Sequence, residues 1–571
     1  MSLANIAQYG LFLVVVVLLV KPLGGYLMRV FSGQKTFLDP VFVPVERSIY
    51  RFTGIDANRQ MDAKHYTLAF VLFSLVGTLV LYVILRLQAF LPWYDHVHLT
   101  TPMTPYLAMN TAISFSTTTT WQAYAGETTM SYFSQVAGLT VQNFLAGAGG
   151  LAIGIAFIRG FAMERTTNLG NFWVDLVRAL LWVLLPASVL VSIVLIWQGV
   201  PMNFNPYVHA TILQGGSQTI AQGPVAALES IENLGTNGGG FFNVNGAHPY
   251  QNPTPLTNVL EMLSIIVIPA ALTNTFGRMV GSPRQGWVLF WVMLFLFVAG
   301  LGLLGWAERS GNPALAPYVA KGQPMGNMEG KEVRFGIGGS VLTTETTSNE
   351  STGDTNAMQD SYTPLGGAVP LTNMLLGEMI FGGLGTGIYS ILMVALVGLF
   401  ITGLMIGRTP EYLGKRIGPP EMKLLAIYTL IGPIGLLILT ALAVVTGPGL
   451  AGLTTNSGAH GLTEILNAYT SSFANNGLSF AGLSANSPFY NATTAVAMLL
   501  GRFGLAIPAL AFAGLFARQT RRPMTPGKFQ TDSLLFATVI IGTALIVVAL
   551  TYLPALALGP IIEHLRLAMG G

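Results

Sequence analysis

The sequence predicts an all-α polytopic membrane protein: about ten transmembrane helices, four span–pore-loop–span units around a pseudo-fourfold pore, and two extra spans. Three observations predict this class. Of 571 residues, 52% are hydrophobic and only 9% charged, with a mean hydropathy of +0.59, whereas soluble domains carry roughly 25% charged residues. Apolar windows of about 20 residues, enough to cross the hydrocarbon core, recur along the whole chain. The loops between them alternate between basic and free of Lys and Arg, the long, mixed-sign 307–367 being the exception. A β-barrel is disfavoured because the apolar runs are continuous rather than alternating.

The ten spans fall near 6–30, 66–90, 131–160, 171–198, 257–280, 286–306, 368–407, 422–446, 489–518 and 533–558. The first follows an N-terminus without a basic leader region and is followed by Lys21 without a small-residue cleavage pattern, so it reads as a retained helix. The seventh is too long for one plain span. Its centre, "FGGLGTG", holds Gly382, Gly383, Gly385 and Gly387 around Leu384 and Thr386, so a broken or kinked helix is expected there.

Charge sets the orientation. Segment 31–64 carries Lys35, Arg47, Arg51, Arg59 and Lys64; Arg159 and Arg165 follow the third span, and Arg278 and Arg284 the fifth. Arg408, Lys415, Arg416 and Lys423 follow the seventh, and Arg518, Arg521, Arg522 and Lys528 the ninth. Segments 91–130, 199–256 and 447–490 hold no Lys or Arg. The positive-inside rule places the basic side in the cytoplasm and both termini outside. The net charge of +3 carries little meaning beside this pattern. No basic cluster with interleaved aromatics points to nucleic acid, and the absence of cysteine excludes disulfides and thiolate metal sites.

The outer loops share a layout. "MNTAISFSTTTTWQAYAGE", "VAALESIENLGTNGGGFFNVN", "RFGIGGSVLTTETTSNESTGDTNAMQDS" and "LTEILNAYTSSFANNGLSFAGLSAN" each give a short half-helix, a Gly/Thr/Asn/Ser-rich turn and a return to the membrane. Irregular backbone at membrane depth is tolerated only where it lines water or is buried in protein. Half-helices entering from outside aim their carbonyl ends at mid-membrane, which favours a cation. Hydroxyls and carbonyls can replace the water around a monovalent ion without a fixed charge. A lone threonine run commonly caps a helix, and "GGLGTG" alone commonly marks a kink; the recurrence of the layout in four loops carries the filter reading. His96 and His98 with Asp95 read as solvated loop residues rather than a metal site. The units implied are 65–165, 166–284, 285–418 and 419–530, flanked by 1–64 and 531–571.

Charges within spans add detail. Arg502 lies near the middle of the ninth span, where a charge costs about 2.5–3.5 kcal/mol and must face a cavity or a partner. Glu378 and Glu261 are the nearest acids in kind, so one reading is a buried Arg–Glu pair that fixes packing. The other puts Arg502 below the filter as a barrier, facing a constriction at Gly383, Gly385 and Thr386. Glu127, Glu229 and Glu232 are expected at the outer mouth or at helix caps.

"FSTTTTWQAYAGETTMSYFSQVAGLTVQNF", "LGTNGGGFFNVNGAHPYQNPTPLTN", "GLMIGRTPEYLGK", "NGLSFAGLSANSPF" and "LPALALGPIIEH" together resemble the potassium-binding A-subunit family of bacterial Kdp potassium-transporting ATPases, over nearly the whole chain. That family is grouped with Trk and Ktr potassium transporters. The resemblance implies a four-part K⁺ filter and a complex with a P-type ATPase B subunit, a C subunit and a small single-span F subunit in the bacterial cytoplasmic (inner) membrane. It implies filter residues Thr118, Thr119, Thr120 and Gln122; Asn237, Gly238, Gly239 and Gly240; Ser351, Thr352, Gly353 and Asp354; and Asn475, Asn476 and Gly477. It also implies K⁺ as the transported substrate, no organic cofactor, and ATP used by a partner. The chain holds neither a DKTG-type phosphorylation motif nor a GxxxxGK[ST] loop. The alternative is a stand-alone Trk/Ktr-like channel or uniporter driven by membrane potential.

Overall fold

Among the described residues, ten apolar helices are long enough to span a membrane: Leu3–Phe31, Ala63–Phe90, Ser134–Ala162, Phe172–Trp197, Pro255–Met279, Pro283–Ser310, Thr386–Ile406, Pro419–Val445, Pro488–Arg518 and Leu534–Ala568. The computed structural model describes residues 3–312, 326–407, 409–522 and 529–569. Arg408 and Lys528 of the basic clusters lie outside these.

The spans sort by burial. In their most apolar windows the third is 89% and the fifth 72% buried, whereas the first, eighth and tenth are each 22% buried. The first and tenth spans therefore flank the assembly, turning residues such as Leu11, Val14 and Leu18 outward, as helices apolar all round do in lipid. The third span reaches the centre because its side chains shrink. Gly154 packs on Gly385 and Gly160 on Ala513, contacts that leave no room for a Cβ, and Gly147 lies so close to Gly235 that a Cβ would be tight. Small residues let helix backbones approach closely in this way.

Between the spans lie four half-helices, Pro105–Ser116, Val225–Leu234, Gly336–Asn349 and Gly458–Phe473. Thr104 caps the first by accepting from Leu107 N, with Pro at the start. The expected break in the seventh span is present. Pro364–Leu375 ends, the chain turns through left-handed residues at Gly377, Glu378, Phe381 and Gly385, and a new helix runs from Thr386 to Ile406. Among the described residues three π-helical segments, Ser134–Thr140, Ala179–Leu184 and Ala557–Ile561, had no sequence signal. Neither had the hairpin pairing Val208–Thr211 with Ser217–Ile220 in the second outer loop.

The basic loops gather on one face, where cations satisfy helix-end carbonyls. Lys415 Nζ donates to the carbonyls of Gly160 and Met163, and Arg521 to those of Phe161, Ala162 and Val280. Arg159 is buried and grips Asp175 through both carboxylate oxygens, at 2.5 and 2.8 Å, while donating to Phe31 O. Tyr66 Oη completes the set by donating to Asp175 at 2.9 Å. Four elements are joined here, and Asp175→Ala leaves a buried guanidinium uncompensated. The expected loss is about 3–5 kcal/mol, read as a lowered unfolding midpoint in detergent.

Candidate functional site: a ring of four filter strands

The half-helices end alike. The amides of Thr119, Asn237, Thr352 and Asn476 each donate to a carbonyl five residues back, on Ser114, Glu232, Thr347 and Ser471, at 3.0, 2.9, 3.5 and 3.0 Å. This closes a helix through a residue in the left-handed conformation. Those residues are Thr118, Thr236, Ser351 and Asn475, with φ of 64°, 47°, 56° and 51°. Two positions on, φ is positive again at Thr120, Gly238, Gly353 and Gly477. Four strands thus carry one backbone pattern: left-handed, ordinary, left-handed. The alternation lets successive carbonyls share one side of a strand, the arrangement from which cation filters are built.

Left-handed backbone costs a non-glycine residue roughly 1–2 kcal/mol, so the first position of each strand must be held. Each is. Thr236 Oγ1 accepts from Leu384 N at 2.8 Å, and Ser351 Oγ donates to Ala474 O at 3.0 Å. Asn475 Nδ2 donates to Thr119 Oγ1 and Met498 O at 2.9 and 3.0 Å. Thr118 Oγ1 accepts from Arg502 at 3.2 Å.

The strands close into a circle. A Cβ on Gly238 would strike the carbonyl of Thr352, one on Gly353 that of Asn476, and one on Gly477 that of Thr119. The remaining side is made by Thr120 against Gly239, and by Gln122, whose amide donates to Gly240 O and accepts from Gly240 N at 2.9 and 3.0 Å. Thr120, Gly239, Gly353 and Gly477 all open into one vestibule of about 750 Å³. The hydroxyl of Thr120 and the amide oxygen of Asn237 have no protein partner. The second strand starts one residue earlier than the sequence reading placed it, at Thr236.

Asp354 follows the third strand, but its Oδ1 accepts from Gly246 N at 3.1 Å, so the carboxylate turns into the loop behind the second strand. There it groups with Glu229 and Glu261, all three buried. Glu229 and Glu232 are thus not mouth acids: they are 0% and 1% exposed. Glu127 is partly buried, its Oε2 accepting from Asn243 N at 2.9 Å. His96 faces the carbonyl of Phe204 at 2.7 Å and joins no metal-like group among the described residues.

Below the ring, Gly383 packs on Ser351 and Thr236, which seats the glycine break directly under the second and third strands. Gly150 of the third span touches both the Leu384 carbonyl and the Arg502 guanidinium, so these two flank the same point. Arg502 is buried, donates to Thr118 Oγ1 and Ala146 O, and lies over the Phe70 ring. Among the described residues no carboxylate lies within ion-pair distance of it. The expected Arg–Glu packing pair is absent there. Glu378 is buried beside Ser351, and Glu261 sits with the acids behind the filter. Thr386 heads the downstream helix, its Oγ1 3.3 Å from Tyr389 Oη.

A ten-span helical protein whose four pore loops meet in one oxygen-lined ring is, as a class, a membrane cation-pore protein. The chain belongs to the family described as potassium-transporting ATPase A subunit, whose sequence model matches residues 10–565. It is 53% identical over 570 residues to the potassium-transporting ATPase potassium-binding subunit of Methylobacterium nodulans, covering 100% of this chain and 99% of the relative. It is 51% identical to the subunit of the same name from Granulibacter bethesdensis, covering 100% of both. Among solved structures it resembles the potassium transporter TrkH from Vibrio parahaemolyticus, with a TM-score of 0.50 and 13% identity, covering 88% of this chain and 97% of that one. That likeness is one of fold.

Proposed function

We infer that this chain is the K⁺-binding and translocating subunit of an ATP-driven, high-affinity potassium importer. The observation that carries the reading is the closed circle of four equivalent strands presenting uncharged oxygens to an outer vestibule. Such oxygens can replace the hydration shell of a monovalent cation yet release it again. K⁺ enters through Thr118, Thr119 and Thr120, Thr236, Asn237 and Gly238, Ser351, Thr352 and Gly353, and Asn475, Asn476 and Gly477. Arg502 and the Leu384 turn limit its descent, and the ion leaves sideways to the ATPase partner. The names of the relatives support an ATPase complex. B, C and F partners, the four units at the boundaries given above, the bacterial inner membrane and outward-facing termini complete the proposal.

The test is K⁺-stimulated ATP hydrolysis by the co-expressed complex, with K⁺, Rb⁺ and Na⁺ titrated, for wild type and Gly239→Asp. At Gly239 a Cβ meets side-chain atoms of Gln122 and Thr120 at 3.2–3.4 Å rather than backbone, so the variant carries the left-handed penalty of a φ of 80°, about 1–2 kcal/mol, without a backbone clash, while a carboxylate enters the ring. The half-activating K⁺ concentration is expected to rise at least about tenfold, the equivalent of about 1.4 kcal/mol, with reduced preference over Na⁺. Recovery of no ATPase partner, with K⁺ flux into liposomes from this chain alone, would replace the pump reading with the channel reading.

A further inference from the structure

Away from the ring, another set of donors converges on the vestibule side of the molecule. His460 begins the fourth half-helix and Glu464 lies one turn on; Asp360 follows the third filter strand, and Glu563 belongs to the C-terminal helical segment. The two imidazole nitrogens have different partners. Nδ1 lies 2.8 Å from Glu563 Oε1, whereas Nε2 faces Asp360 Oδ1 at 2.9 Å and Glu464 Oε1 at 3.9 Å.

The surroundings orient these donors. Asn456 Nδ2 donates to Asp360 Oδ2 at 3.1 Å and to Glu464 Oε1 at 2.7 Å, holding both carboxylates toward the imidazole. Gly482 permits their approach, since a Cβ there would fall against Glu464 Oε1 and Asp360 Oδ1. Independently of the cluster's composition, Glu464 is 1% exposed, yet its Oε2 has no hydrogen-bond partner. A carboxylate so buried and only half satisfied points to a missing positive ligand.

We propose that His460 Nε2, Asp360 and Glu464 form a site for a divalent transition-metal ion of the Zn²⁺ class, with Glu563 holding the imidazole through Nδ1–H. One imidazole nitrogen and two carboxylate oxygens are donor types that Zn²⁺ accepts, and three protein ligands leave a fourth position open to water. A carboxylate on the distal imidazole nitrogen is the usual outer partner of a metal-bound histidine. The three donor atoms lie within 4.8 Å of one another, so side-chain rotations suffice to bring them onto one ion. An imidazole ligand disfavours Mg²⁺ and Ca²⁺. The ion would join the C-terminal segment to the third and fourth pore loops. This assignment does not depend on the potassium reading.

The full-length chain in detergent is titrated with Zn²⁺ alone by calorimetry, and with Co²⁺ as a spectroscopic probe. The expected result is one saturable site per chain and the visible absorption bands of a low-coordinate Co²⁺ ion. His460→Ala and Glu464→Gln abolish both, and Glu563→Gln weakens Zn²⁺ binding about 10–100-fold as an outer partner does. His98→Asn, on a separate outer loop, leaves binding unchanged and accounts for adventitious histidine binding. If Glu563→Gln and His460→Ala bind as wild type does, or wild type does not saturate, the cluster is an imidazolium clamp between carboxylates and the metal assignment is overturned.

Discussion

Gly238→Ala is expected to raise the K⁺ concentration that half-activates ATP hydrolysis by at least about a hundredfold while the protein still inserts in the membrane. The methyl group would lie on the carbonyl oxygen of Thr352 in the neighbouring strand. That atom is backbone, so it cannot swing aside as a side chain would. The φ of 68° adds a steric penalty, of about 1–2 kcal/mol for a residue with a Cβ. Either the second strand leaves its register or the third is pushed outward, and both open the ring. A loss of at least about 2.7 kcal/mol in ion binding corresponds to about a hundredfold rise in half-activating K⁺. Gly353→Ala meets the same kind of obstacle in the Asn476 carbonyl and should match it. Gly239→Ala carries the same kind of φ penalty, at 80°, but its methyl group meets side chains rather than backbone and should be milder. Titrating K⁺ against ATPase activity for the three variants checks the ranking.

Arg502→Met is expected to leave yield unchanged or raised, to weaken K⁺ activation, and to allow ATP-independent K⁺ leakage. Removing a central arginine relieves an insertion cost of about 2.5–3.5 kcal/mol, so biogenesis should not suffer. Thr118 loses its donor at the base of the first strand. Hydrogen bonds to charged groups contribute about 1.5–3 kcal/mol, which corresponds to about a ten- to hundredfold loss of apparent affinity. The point beneath the ring where Arg502 and Leu384 meet also loses its positive charge. Arg502→Lys restores the charge but not the planar donor fork, so it should suppress the leak more fully than it restores affinity. Lower yield with unchanged affinity in Arg502→Met would mark the residue as packing alone. Yield, ATPase titration and ⁸⁶Rb⁺ flux into liposomes separate these outcomes.

The spans were legible because a helix in lipid must be apolar along its whole length, and the seventh could be read as broken because its glycines form a cluster. Which spans lie inside was not read. The central position of the third depends on Gly147, Gly154 and Gly160 each meeting a backbone from elsewhere in the chain, and a glycine in sequence does not name its contact. Thr236 was missed because the resemblance started the second strand at Asn237, yet the strands place a hydroxyl or amide residue at the left-handed position that Thr236 fills. The signal was present: two residues before Gly238, Gly353 and Gly477 stand Thr236, Ser351 and Asn475. The acids were misplaced for a tertiary reason. Glu229 meets Glu261 and Asp354, both distant in sequence, only behind the second strand, so its outer-loop position suggested exposure where burial prevails. Arg502 was recognisable as a central charge, but its partners are a hydroxyl and a carbonyl, which hydropathy cannot distinguish from apolar surroundings.

The central claim is that the four strands form one ion-binding ring. Its most direct test is anomalous difference density from Tl⁺, a K⁺ surrogate, in the assembled complex. Density is expected on the axis among Thr118 to Thr120, Thr236 to Gly238, Ser351 to Gly353 and Asn475 to Gly477, displaced by K⁺ and not by Na⁺. A ring without Tl⁺ in a complex whose ATPase still responds to Tl⁺, with density confined to other parts of the assembly, would contradict it.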